Sequence, residues 1–259
     1  MSKIRDIDSI RLSGEADFGT PARLVGHPAR AAILLALLDG RALPMSRLAA
    51  EAGVAPSTAS EHLKLLADAG LLTTRREGRN RYYELASPQV AEALEALARL
   101  VPPREVRSLR GARRSDALRL ARSCYDHAAG RLGVALMRAL LDSGALVGGD
   151  GLHHPEKARG DRLSAPGRDL DYRLTEAGWA LFDRLGAEVP SGRRRTVAYC
   201  VDWTEQRHHL AGAAGAALLA RLIELGWLRR NDVPRALTIT DEGARGLAEV
   251  FGIDVPRAA

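Results

Sequence analysis

The side chains best suited to chemistry in this 259-residue chain fall in two short stretches. Cys124, Tyr125, Asp126 and His127 form one; Cys200, Asp202, Trp203, Glu205, Arg207, His208 and His209 form the other. Thiolate with imidazole suits zinc, another soft metal or haem, and Cys124, His127, Cys200 and His209 are the candidate ligands. Trp203, Arg207, Tyr125 and the histidines could instead line a pocket for a small organic effector. A third reading is a structural polar network. In it Cys124 and Cys200 are small buried hydrophobes, and Asp202 with Glu205 three residues on forms an acidic capping box. The ligand spacing is not compact, so these readings stay open, with a thiol-redox role beside them. His153-His154 reads as a solvated pair on a loop. No motif requires a cofactor. The sequence holds no metal-carboxylate cluster, P-loop or nucleophile–base motif, so an enzyme is not expected.

A different chemistry, contact with a polyanion, is written between residues 56 and 83. Ser57, Thr58, Ser60, Glu61, His62 and Lys64 follow a short helix and a turn at Gly53. Arg75, Arg76, Arg79 and Arg81 then flank Gly78 in a hairpin pattern. Helix, turn, second helix and arginine-tipped ribbon is the order of a winged helix-turn-helix that reads duplex DNA. Small hydroxyls at a helix start allow close phosphate approach and base-edge contact, and the helix N-terminus itself favours a phosphate. His62 either donates to a phosphate or packs under the wing.

These residues need elements to position them. Helical spacing begins near Thr20, and His27-Pro28-Ala29-Arg30 opens an apolar run that Asp39-Gly40 ends. Ser46 is expected to cap the supporting helix, and Ser57 or a neighbouring hydroxyl the recognition helix. On the latter, Leu63, Leu66 and Ala69 should face the core, with Leu65 at its edge. Tyr82, Tyr83 and Leu85 read as a half-buried strand. Ser87-Pro88 starts a helix toward Leu100, which Pro102-Pro103 stops.

Bulk properties agree. Hydrophobic residues make up 46% of the chain and aromatics only 4%, so Leu, Ala and Val must fill the core. The net charge of +6 is uneven: residues 1–114 hold 18 Lys+Arg against 13 Asp+Glu, and the remainder 20 against 19. The basic excess sits with the DNA-reading pattern. Two cysteines make no disulfide framework and fit a reducing, cytoplasmic setting. The sequence offers no signal core and no membrane span.

Residues 20–101 resemble the ArsR/SmtB family of repressors. The likeness rests on His27-Pro28-Ala29-Arg30 before Ile33-Leu34, Ser57-Thr58-Ala59-Ser60-Glu61-His62-Leu63-Lys64-Leu65-Leu66, Ala69-Gly70-Leu71-Leu72, Arg76-Glu77-Gly78-Arg79 and Tyr82-Tyr83. The resemblance implies a homodimer on an inverted-repeat operator in double-stranded DNA, released by an effector. Many members bind metals through cysteines on the helix before the recognition helix, or Asp/His pairs on the last helix. Here the first spans Ser46–Glu51 without cysteine and the second Val90–Arg99 without histidine, so no metal is expected at those sites.

The second half of the chain matches itself. His127–Leu136 aligns with His209–Leu218 at an offset of 82, and Leu174–Gly178 with Ile239–Gly243 at 65. Small residues Ala129, Gly130 and Gly133 fall opposite Ala211, Gly212 and Gly215, as where two helices cross. In the ungapped alignment Cys124 falls opposite Gln206, so the cysteines do not correspond. The expected class is mainly α with small β-wings (α+β). A flexible arm (1–18) precedes a winged helix-turn-helix for DNA binding and dimerisation (19–101) and a basic linker or helix start (102–115). A sensor domain (116–259) follows, of two winged-helix-like repeats at about 116–188 and 197–253. The expected function is a DNA-binding transcriptional regulator, a repressor, sensing a small molecule. The alternatives are metal, haem or thiol sensing through the Cys/His group, and a ligand-independent architectural DNA-binding protein.

Overall fold

The structure, a computed structural model, describes residues 19–78, 80–98, 109–161 and 166–255. The N-terminal arm, Arg79 and the proline stop at 102–103 lie outside the described residues. The N-terminal half runs α1 (Gly19–Val25), α2 (Pro28–Ala36), β1 (Leu43–Pro44), α3 (Met45–Ala52), α4 (Pro56–Asp68), β2 (Leu72–Glu77), β3 (Asn80–Leu85) and α5 (Pro88–Ala98). β3 lies between β1 and β2 in an antiparallel sheet that pairs Leu43 with Tyr83 and Leu72 with Leu85. Ile33, Leu34, Leu37 and Leu38 meet Leu48, Leu63, Leu66, Tyr83 and Leu85 in one core. That is the winged helix-turn-helix expected from the pattern.

Local corrections follow from capping. Pro44, not Ser46, stands before α3, and Ala55, not a hydroxyl, before α4; neither makes a side-chain cap. Pro56 at the first position of α4 starts that helix through its fixed φ and missing N–H. The free first-turn N–H groups of α4 are left to water or to an anion. Ala69 ends α4 and is exposed; Ala59 completes the apolar stripe with Leu63 and Leu66.

The C-terminal half runs α6 (Leu109–Leu120), β4 (Arg122–Cys124), β5 (His127–Ala129), α7 (Gly130–Asp142), β6 (Leu146–Val147), β7 (Arg173–Leu174) and α8 (Glu176–Leu185). It continues as β8 (Ala198–Val201), β9 (His208–Ala211), α9 (Gly212–Glu224), β10 (Leu228–Arg230), β11 (Leu237–Ile239) and α10 (Asp241–Phe251). The basic stretch expected as a linker or helix start is helical from residue 109 onward. Twice the order is hairpin, helix, two-stranded ladder, helix. Thr175 caps α8 by accepting from Gly178 N–H and donating to Gly144 C=O; Thr240 caps α10 through Gly243 N–H and Gly226 C=O. Leu132, Leu136, Phe182, Tyr199, Leu218, Leu222 and Leu247 share a second core.

The small residues do not mark a helix crossing. Ala129 and Ala211 end strands, and Gly130 and Gly212 turn the chain from strand to helix at φ +73° and +79°. A Cβ on Gly133 would meet Ala128 O at 2.4 Å and His209 Cβ at 3.5 Å. On Gly215 it would meet Leu210 O at 2.6 Å and His127 Cβ at 3.2 Å. Each helix therefore lies against the strand preceding it and against the histidine of the opposite hairpin. The first methyl added there collides with backbone, which cannot rotate away.

The two halves meet at the turn after α2. Asp39, buried, accepts from Arg41 Nε and from Arg235 N–H, and Arg230 donates to its carbonyl. Tyr125 N–H donates to Leu38 C=O at 3.0 Å, and the Tyr125 side chain packs on the N-terminal core. Both the β4–β5 turn and the β10–β11 tip thus rest on the α2–β1 turn. Gly133→Ala and Gly215→Ala are each expected to destabilise by about 1–3 kcal/mol in denaturant titrations. Gly192→Ala, where a Cβ meets nothing within 4 Å, leaves the midpoint unchanged. Equal midpoints for all three would refute this packing.

Candidate functional site

The surface expected to face DNA is built by α4 and the wing. Ser57, Ser60, Glu61 and Lys64 are exposed along α4, and Thr58 is half-buried. Lys64 is steadied by Asp68 at 2.6 Å, one helical turn on. In the wing, Arg75 lies across from Tyr82, its guanidinium 5.8 Å from the ring centroid, and Arg76 lies across from Arg81. All three arginines are exposed. Like charges paired across strands repel, and an anion bound between them would relieve that repulsion. His62 stands apart from this surface. It is buried, its ring centroid 4.6 Å from that of His27, and burial first, then the neighbouring His27 and Arg30, lowers its pKa. It packs beneath the recognition helix rather than facing outward.

The reactive stretches of the C-terminal half come together at two hairpins. Across β4–β5, Cys124 pairs with His127; across β8–β9, Cys200 pairs with His209. One donor atom from each of these four buried residues lies within 4.8 Å of all the others. The cysteines do correspond in space, against the ungapped reading. The turn between β8 and β9 is longer than the Tyr125-Asp126 turn, and the extra residues hide the match from an alignment without gaps. No disulfide joins Cys124 and Cys200.

Charge around the cluster is strongly organised. Burial alone would lower the pKa of His127, but the adjacent Cys124 thiolate and the Asp126 hydrogen bond push it up to about 10. Burial would raise Asp126, yet His127 Nδ1 at 3.2 Å and a bidentate Arg194 hold it down to about 2. His209 goes the other way: burial, then the His127 cation, keeps it neutral. Asp202 is buried, a cost its partners outweigh, and its carboxyl stays far below the usual range. Arg122 Nη2 at 2.7 Å and Gly130 N–H at 2.8 Å donate to Oδ2; Thr204 and Glu205 N–H donate to Oδ1. Only half of the capping box expected of Asp202 with Glu205 forms, and over a turn, not a helix: Asp202 accepts from Glu205 N–H, but its own N–H donates to Arg207 C=O. The side chain also ties the second hairpin to the first.

Other candidate effector residues scatter. Consecutive strand residues point to opposite faces, so His208 turns away from His209. Its Nδ1 accepts from Tyr172 Oη at 2.8 Å, and burial drives its pKa down to about 4. Tyr199 Oη donates to Asp161 beside it. Trp203 is exposed, with the Arg122 guanidinium 5.1 Å from its ring centroid, and Arg207 is exposed. The space beside Arg207 and His208 is about 10 Å³, no more than a water. A cleft of about 530 Å³ lies elsewhere, between α7 and the end of α10, lined by Arg138, Asp142, Phe251 and Ile253. Sequence reasoning missed Arg122, Asp161, Tyr172 and Tyr199; nothing in their local pattern separates a buried polar side chain from an ordinary strand or loop residue.

A helix-turn-helix domain family matches residues 25–75. Over 223 residues, 85% of this chain and 90% of the relative, the chain is 37% identical to the uncharacterized HTH-type transcriptional regulator YdfF of Bacillus subtilis (strain 168). Over 79 residues it is 42% identical to the HTH-type transcriptional regulator CmtR of Mycobacterium tuberculosis (strain ATCC 25618 / H37Rv), covering 30% of this chain and 66% of that one. Among solved structures, reduced HlyU from Vibrio cholerae N16961 is similar at 31% identity and a TM-score of 0.30, covering 32% of this chain and 87% of HlyU. The chain belongs to the ArsR family of HTH-type transcriptional regulators. It is a DNA-binding regulator of transcription and not an enzyme. No helix among the described residues is long and apolar enough to cross a membrane.

Asp202→Ala is expected to cost about 3–5 kcal/mol, because it strands the Arg122 cation in the interior. Thermal or denaturant unfolding reads this directly. A loss below about 1 kcal/mol would mean that Arg122 reaches solvent and the hairpins are not clamped this way.

Proposed function

We propose that the protein is a one-component repressor. Two copies bind an inverted-repeat operator, each placing α4 in the major groove and the β2–β3 wing on the backbone. The C-terminal half, two copies of one hairpin–helix unit, senses an effector and resets the spacing of the recognition helices. The duplicated reading is supported by the matched caps of α8 and α10 and the matched glycines 133 and 215. The likeness to another HTH-type regulator, which extends over 85% of the chain, supports treating both halves as one regulator.

The observation that carries the proposal is the docking at the α2–β1 turn. Tyr125 and the β10–β11 tip bind the backbone and carboxylate of Leu38 and Asp39, at the foot of the helix that packs on α3. A displacement of the hairpins therefore reaches the helix-turn-helix through hydrogen bonds and not through a loose tether. An effector changes affinity only by preferring one of the two placements.

Selection from random duplexes followed by footprinting tests this. The expected product is one palindrome protected on both half-sites. Its affinity should fall steeply with salt, and Arg81→Ala should reduce the salt slope by about one. Uniform protection of any duplex would instead identify a ligand-independent architectural protein. An unchanged slope would remove the wing from the backbone.

A further inference from the structure

We propose that Cys124, His127, Cys200 and His209 form a tetrahedral site for one thiophilic divalent cation of the zinc class, and that this ion is the effector. The second clause rests on the regulator reading above; the first does not.

Four observations carry the site. The donors converge: two sulfurs and two imidazoles from two hairpins lie within 4.8 Å of one another. A tetrahedral shell with bonds of about 2.3 Å to sulfur and 2.0 Å to nitrogen needs donors roughly 3.3–3.8 Å apart, a contraction of about 1 Å. His209 is 1% exposed, yet neither ring nitrogen has a hydrogen-bond partner. Buried polar groups are rarely left so. Carboxylates stand behind both imidazoles. Asp126 binds His127 Nδ1 and leaves Nε2 for the ion, and Asp202 Oδ2 lies 3.7 Å from His209 Nδ1. That is the arrangement which fixes tautomer and basicity in metal-bound histidines. Finally, the charge closes: a dication with two thiolates is formally neutral, so the ion can be buried without net charge. Binding releases to solvent the proton shared by the Cys124–His127 pair and that of the Cys200 thiol.

Rival occupants fit worse. A disulfide would use the two sulfurs and leave His209 as orphaned as before. Haem needs a slot, and the larger cleft lies elsewhere among the described residues. Mg²⁺ and Ca²⁺ prefer oxygen donors. Contraction of the shell draws Cys124 toward Cys200. Tyr125, next in the chain, carries that movement to Leu38 C=O.

The test uses the full chain, stripped with chelator under reducing conditions and titrated with Co²⁺. Expected are tetrahedral d–d bands and thiolate-to-cobalt charge transfer, saturating at one ion per chain and abolished by Zn²⁺. Cys124→Ser and Cys200→Ser should each cut the charge transfer by about half or more, and His153→Ala should keep it. Folding of each variant is checked by circular dichroism; if a cysteine variant does not fold, the wild-type titration alone decides. A folded wild type without charge transfer overturns the site. Zn²⁺ should change operator affinity by about tenfold or more, in the range of ordinary allosteric coupling. One bound ion with unchanged affinity overturns the effector role. Absence of DNA binding in both forms is the failure of the regulator reading, and the cobalt spectrum stands apart from it.

Discussion

The structure depends on one buried ion pair. Asp202, in the turn of the second hairpin, holds Arg122 and the Gly130 N–H, at the two ends of the first. A carboxylate and a guanidinium are expensive to bury, and each is tolerable only because the other is there. Once the pair is in place the hairpins cannot slide, and the side chains facing each other across them are set. Those are Cys124, His127, Cys200 and His209. The helices behind come close because Gly133 and Gly215 present no side chain to the strands or to the opposing histidines.

A second buried acid, Asp39, joins this assembly to the helix-turn-helix. It lies at the end of α2, where Arg41 from its own half and Arg230 and the Arg235 N–H from the other converge. Information from the hairpins has a short way to travel. Tyr125 is bonded to Leu38, and α2 shares its core with α3 and α4. α4, whose outer face is exposed, and both wing strands pack on that same core.

The DNA-reading half was legible in the sequence because its signals are local. Helical spacing of Leu63 and Leu66, the proline starts and the arginine-flanked Gly78 each act within a few residues. Exposed hydroxyls and arginines also declare themselves by type. The caps misled, since Pro44 and Ala55 start helices without a hydroxyl. In the C-terminal half the offset of 82 located both histidines, but matching without gaps separated the cysteines, because a longer turn stands between Cys200 and His209. Glycines read as a helix crossing turned out to sit against strands: two-residue turns and short ladders leave too few residues for a period to show. Partners such as Arg122 and Asp202 lie 80 residues apart, a distance over which no pattern in one sequence speaks.

X-ray absorption at the zinc edge, on full-length protein loaded with one equivalent of Zn²⁺, tests the central claim most directly. The account expects two sulfur neighbours at about 2.3 Å and two imidazole nitrogens at about 2.0 Å. A shell of nitrogen and oxygen alone would place the ion on groups outside the hairpins, such as His154 with Asp150, and would contradict it.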